Sequence, residues 1–155
     1  MVKKTPKGNL WLLVAAIVVC QGAGILGSLV TIPAISGWYQ TLVKPGFSPP
    51  NFLFGPVWTL LYFLMGISLY LVWIRTGNLK WFWLQLILNS LWSFLFFGLK
   101  SPGLALIEII FLWLAILMTI KSFIKVHRPA AYLLYPYLTW VSFAAILNFA
   151  IWILN

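Results

Sequence analysis

Acidic side chains are almost missing from this 155-residue chain: Glu108 is the only Asp or Glu, set against ten Lys and Arg. With one acid and one histidine, His127, neither a paired-carboxylate site nor a Ser-His-Asp triad can be assembled. A single cysteine, Cys20, lies inside an apolar run, which excludes a disulfide framework and a Cys-rich metal site. There is no glycine-rich phosphate loop. Charge of either sign is scarce, at 7% of residues, so no water-facing surface can be built. Any catalysis would draw its reactivity from the ligand or from light.

What fills the chain is apolar: 63% of residues are hydrophobic, 18% are aromatic and the mean hydropathy is +1.03. A helix needs about 20 apolar residues to cross roughly 30 Å of hydrocarbon. Five runs meet that length, at about 9–32, 52–74, 79–99, 102–125 and 130–154. The reading is an all-α integral membrane protein, one domain over 1–155 forming a bundle of five transmembrane helices. Period-2 alternation is absent, which argues against a β-barrel.

Breakers agree with these divisions: Pro33 and Gly37 follow the first run, Gly77 and Asn78 the second, and Pro102 and Pro129 open the fourth and fifth. Short connections predict consecutive spans as antiparallel neighbours. The run after Lys3, Lys4 and Lys7 continues to about Ile32 without a small-x-small site, so it reads as a span rather than a cleaved signal peptide.

The net charge of +9 does not point to nucleic acid, because the basic residues stand singly at the ends of apolar runs, where they meet lipid headgroups. Lys3, Lys4, Lys7, Arg75, Lys80, Lys121, Lys125 and Arg128 fall on one side, with Lys44 and Lys100 on the other. This bias predicts a cytoplasmic amino terminus in a cell membrane, with the loop at 33–51 facing outward.

Candidate binding residues are the polar and aromatic side chains inside the spans. Gln85, Asn89, Trp92 and Phe96 share one face of the third span. Trp58, Tyr62, Met65 and Leu69 do so on the second, and Tyr137, Trp140, Ala144 and Leu147 or Asn148 on the fifth. Trp and Tyr suit a planar, mostly apolar ligand, although the same pattern serves packing and interfacial belts. Glu108, well inside the fourth span, is expected to be protonated or paired. Small pairs in the first span, Ala23 with Gly27 and Gly24 with Ser28, permit close packing within the bundle or across a dimer. Pro136 is expected to kink the fifth helix. Between the first two spans, KPGFSPPNFLFGPVW (44–58) reads as a proline-stiffened rim with Asn51 as helix cap.

Three blocks carry a resemblance: WYQTLVKPGFSPPNFLFGPVWTLLYFLMGISLYLVW at 38–73, LILNSLWSFLFFG at 86–98 and LLYPYLTWVSFAAILN at 133–148. In order and spacing the chain resembles the tryptophan-rich sensory protein and translocator protein family, TspO/MBR. The resemblance implies a five-helix bundle, often a homodimer, that binds tetrapyrroles such as protoporphyrin IX and heme as ligands, with no required cofactor or metal. It implies a sensor or regulator of tetrapyrrole metabolism. A light-dependent porphyrin-degrading enzyme and a transporter of porphyrin or lipid are the alternatives.

By position, Trp58, Asn89, Trp92, Trp140 and Ala144 match residues that the family places around the ligand, and Tyr39 matches one associated with porphyrin chemistry. That makes Trp58, Trp140 and Tyr39 the candidates for any photochemistry. Tyr62, Gln85, Glu108 and Leu147 complete the expected ligand-binding set. The sterol-recognition pattern of animal members needs Tyr followed by Lys or Arg near the end, where this chain reads LNFAIWILN, which puts sterol binding in doubt.

Overall fold

A computed structural model describes residues 9–155, and the lysines at 3, 4 and 7 lie outside the described residues. Helix α1 runs Leu10–Ser36, α2 is the short Trp38–Thr41, and a 3₁₀ turn at Asn51–Leu53 leads into α3, Phe54–Trp73. Helix α4, Lys80–Ser93, continues as a π-helical segment at Phe94–Gly98. Then come α5, Pro102–Ile124, α6, Arg128–Tyr132, and α7, Tyr135–Leu154. Among the described residues, five helical stretches are long and apolar enough to span a membrane: Leu10–Ser36, Asn51–Trp73, Lys80–Gly98, Pro102–Ile124 and Arg128–Leu154. These match the expected spans to within a few residues, and the protein is an all-helical, multi-pass integral membrane protein.

Each helix end has a local cause. Asn9 caps α1 by accepting from the Trp11 amide at 3.0 Å, and Ser101 caps α5 by accepting from Leu104, with Pro102 in the first turn. Pro33 does not end the first span as expected. It sits one turn from the helix end, and α1 continues to Ser36, where the Gly37 amide closes the turn on Ala34. Pro136 does not kink a continuous fifth helix either. The chain breaks beforehand, at residues 133–134, and Pro136 occupies the first turn of α7, where its missing N–H would be unpaired anyway. Asn51 is not a side-chain cap: it opens the 3₁₀ turn, and its carbonyl accepts from the Phe54 amide.

Helix α1 sits between its neighbours, packing along both α3 and α4. The expectation of consecutive neighbours therefore fails for the second and third spans. Their backbones are held apart by α1 and they meet through side chains. The small face of α1 explains this. A Cβ on Gly66 of α3 would lie 2.7 Å from Ile17 Cα, and one on Gly24 would lie 2.5 Å from the Tyr62 ring. Gly27 faces Ser93, and the Ser90 hydroxyl donates to the Ala23 carbonyl at 3.3 Å. The small residues at 23, 24 and 27 thus pack within the bundle.

Next around the bundle, α4 packs on α5 and α5 on α7, while α6 joins α5 to α3. Side-chain bonds tie the helices where lipid offers no hydrophobic drive for association. The Ser68 hydroxyl donates to the Ala130 carbonyl at 2.7 Å, and the Trp113 indole N–H to the Ser142 hydroxyl at 2.9 Å. Between α3 and α7 the closure is largely aromatic, Phe54 against Trp140 and Trp58 against Tyr137.

Candidate functional site

A cavity of about 480 Å³ opens where α3 and α7 diverge, walled by α1, Tyr39 of α2, the amino-terminal half of α3, the end of α4 with its π segment, and α7. Its size is in the range of sites for small organic ligands. The 3₁₀ turn and Pro56 in the first turn of α3 start that helix at the rim, so Trp58 and Tyr62, one turn apart, both point inward. The Trp58 ring lies 5.6 Å from that of Tyr62 at 32°, and edge-on to Tyr137 at 6.2 Å. On the opposite wall, Trp140 packs 5.5 Å from Phe143 and 6.3 Å from Phe54.

The π segment shapes the far wall. The Leu99 amide reaches the Phe94 carbonyl at 2.8 Å, an i to i+5 bond that adds a residue to the turn. Consecutive Phe96 and Phe97 are both buried in consequence, their rings 4.8 Å apart. Trp92 stacks on Phe96 at 5.1 Å, and its indole N–H donates to Asn148 Oδ1 at 3.1 Å. Asn148 in turn donates from Nδ2 to the Pro102 carbonyl at 2.7 Å, so this tryptophan is fixed in place. The indole N–H groups of Trp58 and Trp140 make no bond to another described residue and remain available to a ligand.

Beneath the cavity the polar chemistry is internal. The Tyr62 hydroxyl donates to Asn89 Oδ1, and Asn89 Nδ2 donates to the Tyr137 hydroxyl at 2.8 Å. Near the mouth, burial raises the Tyr39 phenol above its ordinary range, with the Ser48 hydroxyl acting the other way. It therefore stays neutral at physiological pH, packed against Phe54, Phe96 and Phe97 with the Lys44 ammonium 4.8 Å over its ring.

The expected binding residues thus divide. Trp58, Tyr62, Trp92, Trp140, Ala144, Leu147 and Tyr39 come together on one cavity wall system. Asn89 does not line it but holds Tyr62 from behind. Gln85 lies one turn deeper, its amide nitrogen 3.9 Å from Met65 Sδ. Glu108 lies off the cavity on α5, buried, with no hydrogen-bond partner for either carboxyl oxygen among the described residues, so of the two expected states, protonated or paired, the paired one is not found.

The lining also includes residues that the sequence reading did not assign to the pocket: Gln21, Gly24, Ser28 and Thr31 on α1, and Ser93 on α4. The signal for the α1 set was the small-residue stripe, which admits a wide ring as readily as a second backbone.

A five-helix membrane bundle with an aromatic cavity at one end, beside the loop at 42–50, is the class of protein that fold and site define. The family model for the TspO/MBR family matches residues 16–153, and the chain belongs to that family. It is similar to tryptophan-rich protein TspO of Archaeoglobus fulgidus, 48% identical over 155 residues covering 95% of this chain and 99% of the relative. The protein of the same name from Chlorobaculum tepidum is 46% identical over 88% of this chain and 90% of its own length. The translocator protein of Homo sapiens is 39% identical over 74% of this chain and 73% of its own.

Proposed function

We propose that this protein binds a planar tetrapyrrole, protoporphyrin IX or heme, in the cavity between α1, α3, α4 and α7 and acts as a sensor or regulator of tetrapyrrole metabolism. The observation that carries the reading is the convergence of Trp58 and Trp140, from different helices, on one largely apolar cavity, with their N–H groups unbonded among the described residues. Large flat rings with a single donor suit a wide aromatic macrocycle better than a flexible lipid chain. The name tryptophan-rich sensory protein, carried by a Cereibacter sphaeroides relative that is 37% identical over 121 residues, accords with a sensing role. Function in a prokaryotic cell membrane with the amino terminus cytoplasmic, as a homodimer, completes the proposal. Arg75, Lys80, Lys121, Lys125 and Arg128 at one end against Lys44 and Lys100 at the other support that orientation.

Titration of purified protein with protoporphyrin IX, followed by tryptophan fluorescence, tests the pocket. A Trp58→Ala, Trp140→Ala double variant is expected to bind more than about tenfold more weakly. Equal quenching in the two proteins would sink the assignment.

One observation favours a second reading, light-dependent degradation of the bound porphyrin. Trp58, Tyr62 and Tyr137 form a contiguous set of oxidisable rings from the cavity wall into the core. On this reading an excited porphyrin takes one electron from Trp58, which becomes an indole radical cation, and the porphyrin radical anion so formed reacts with dissolved oxygen, the terminal oxidant. Under illumination, Trp58→Phe and Trp140→Phe are expected to slow loss of porphyrin absorbance. A product spectrum identical to that of free porphyrin, with or without these variants, argues decisively against turnover.

A further inference from the structure

We infer that the protein holds an anionic phospholipid, of the class that carries two phosphates, in a basic recess at the end of the bundle opposite the aromatic cavity. The recess measures about 490 Å³ and lies between the start of α4 and the end of α5, with Lys80, Lys121 and Lys125 in its wall beside Trp81, Met118 and Ser122. Lys121, Ser122 and Lys125 follow Met118 at i+3, i+4 and i+7, which is one face of α5 carried into the residue after it. Lys80 comes from the other helix, so cations from two elements converge on one place.

Nothing in the chain neutralises them. The one acidic side chain, Glu108, is buried about 20 Å before Lys121 along α5, at 1.5 Å per residue. The terminal carboxylate belongs to Asn155, whose side chain is bonded to Val43 at the other end of the bundle. Arg75, His127 and Arg128, the remaining ionisable groups of this end among the described residues, add no negative charge. Nor are the lysines spent on the end of α5, where the Phe123 carbonyl takes the amides of Val126 and His127. The Lys80 ammonium instead lies 5.1 Å over the Trp81 ring, an aromatic seat that leaves its donors open to an oxygen ligand.

The depth and the surroundings select a lipid. Trp81 stands where interfacial tryptophans meet headgroups, and Ile107, Phe111, Leu114 and Met118 continue the same face of α5 into the hydrocarbon as exposed apolar side chains. A molecule with phosphates at one end and acyl chains at the other matches both parts, whereas free phosphate uses only the first. One exposed lysine contributes little to a pair. Three around one recess act on the same headgroup, and two phosphates answer that charge better than one.

Native mass spectrometry in a non-ionic detergent tests this, with tetraoleoyl cardiolipin, dioleoyl phosphatidylglycerol and dioleoyl phosphatidylcholine titrated in turn. Wild type is expected to retain one cardiolipin per chain, bound about fivefold or more tighter than phosphatidylglycerol, with phosphatidylcholine weakest. Lys80→Gln and Lys121→Gln are each expected to weaken cardiolipin about fivefold, and Lys121→Arg to keep it. Arg128→Gln removes a charge from the same end but outside the recess, and is expected to change nothing. Equal binding of the three lipids, or equal losses in Arg128→Gln and Lys121→Gln, overturns the site and leaves only a diffuse basic surface. Displacement of cardiolipin by an equal concentration of inorganic phosphate overturns the assignment to a lipid. The inference does not rest on the tetrapyrrole reading, and protoporphyrin IX titrations of Lys80→Gln and Lys121→Gln are expected to match wild type; weakened porphyrin binding in both would overturn the separation of the two sites.

Discussion

Asn155 grips Val43 with both ends of its amide, accepting from the backbone N–H at 2.9 Å and donating to the carbonyl at 2.9 Å. The pair mimics one rung of a β-ladder and ties the loop after α2 to the end of α7. A second tie lies at Phe47, whose ring meets that of Phe143 at 6.3 Å. Asn155→Ala removes the first tie while keeping the second. Each bond contributes about 1 kcal/mol, so amide exchange at Val43 is expected to accelerate roughly tenfold or more with little change in the melting temperature. Unchanged protection at Val43 in exchange measurements would show that the loop is held by other contacts.

Close approach of α1 and α3 rests on Gly66. Because a Cβ there would lie 2.7 Å from Ile17 Cα, a backbone atom that cannot rotate away, Gly66→Ala should destabilise the bundle by about 1–3 kcal/mol. A methyl group on Gly22 would meet nothing within 4 Å, and Gly22→Ala should be neutral or slightly stabilising. Thermal unfolding in detergent checks both. Equal melting temperatures for the two variants would contradict the packing described.

The bonded set Tyr62, Asn89 and Tyr137 joins α3, α4 and α7. Tyr62→Phe and Tyr137→Phe each strand one polar group of Asn89 and should cost about 1–3 kcal/mol. Their effects should not add, since both act through one amide. Unfolding of the two single variants and the double variant measures the coupling. An additive result would mean that Asn89 treats its two tyrosines independently.

Glu108 gives a prediction of opposite sign. Both carboxyl oxygens are buried without a partner among the described residues, so Glu108→Leu removes an uncompensated polar group and should stabilise the bundle by about 1–3 kcal/mol. Porphyrin affinity should be unchanged, because the side chain does not line the cavity. A drop in affinity at constant stability would bring Glu108 back as a binding residue.

The parts of this architecture legible in the sequence were those set by one segment and its solvent. Hydrocarbon thickness fixes span length, so five spans could be placed to within a few residues. Helical periodicity put Trp58 with Tyr62, and Trp140 with Ala144, on shared faces. What escaped was set by several elements at once. Gln85 shares a face with Asn89 and Trp92, but periodicity carries no depth, and the cavity ends above it. Glu108 looked like a ligand residue because it is the only acid, whereas its direction depends on how α5 meets α4 and α7. Pro136 signals a break or a kink equally well, and the turn at 133–134 decided between them. The π turn at Phe94–Gly98 has no mark in the local pattern, yet it places Phe96 and Phe97 together in the core.

Two of the cavity's side chains, Ile25 and Ile32 on α1, are 62% and 67% exposed on a helix that lies in hydrocarbon. The wall of the site is therefore also a face toward the acyl chains, and the bilayer itself is the solvent from which an apolar guest arrives. Occupancy then follows the guest's mole fraction in the membrane phase rather than its aqueous concentration. At a fixed total amount of porphyrin, adding lipid or detergent should empty the site by dilution alone, so that an affinity measured for this protein has meaning only beside the volume of amphiphile in the tube.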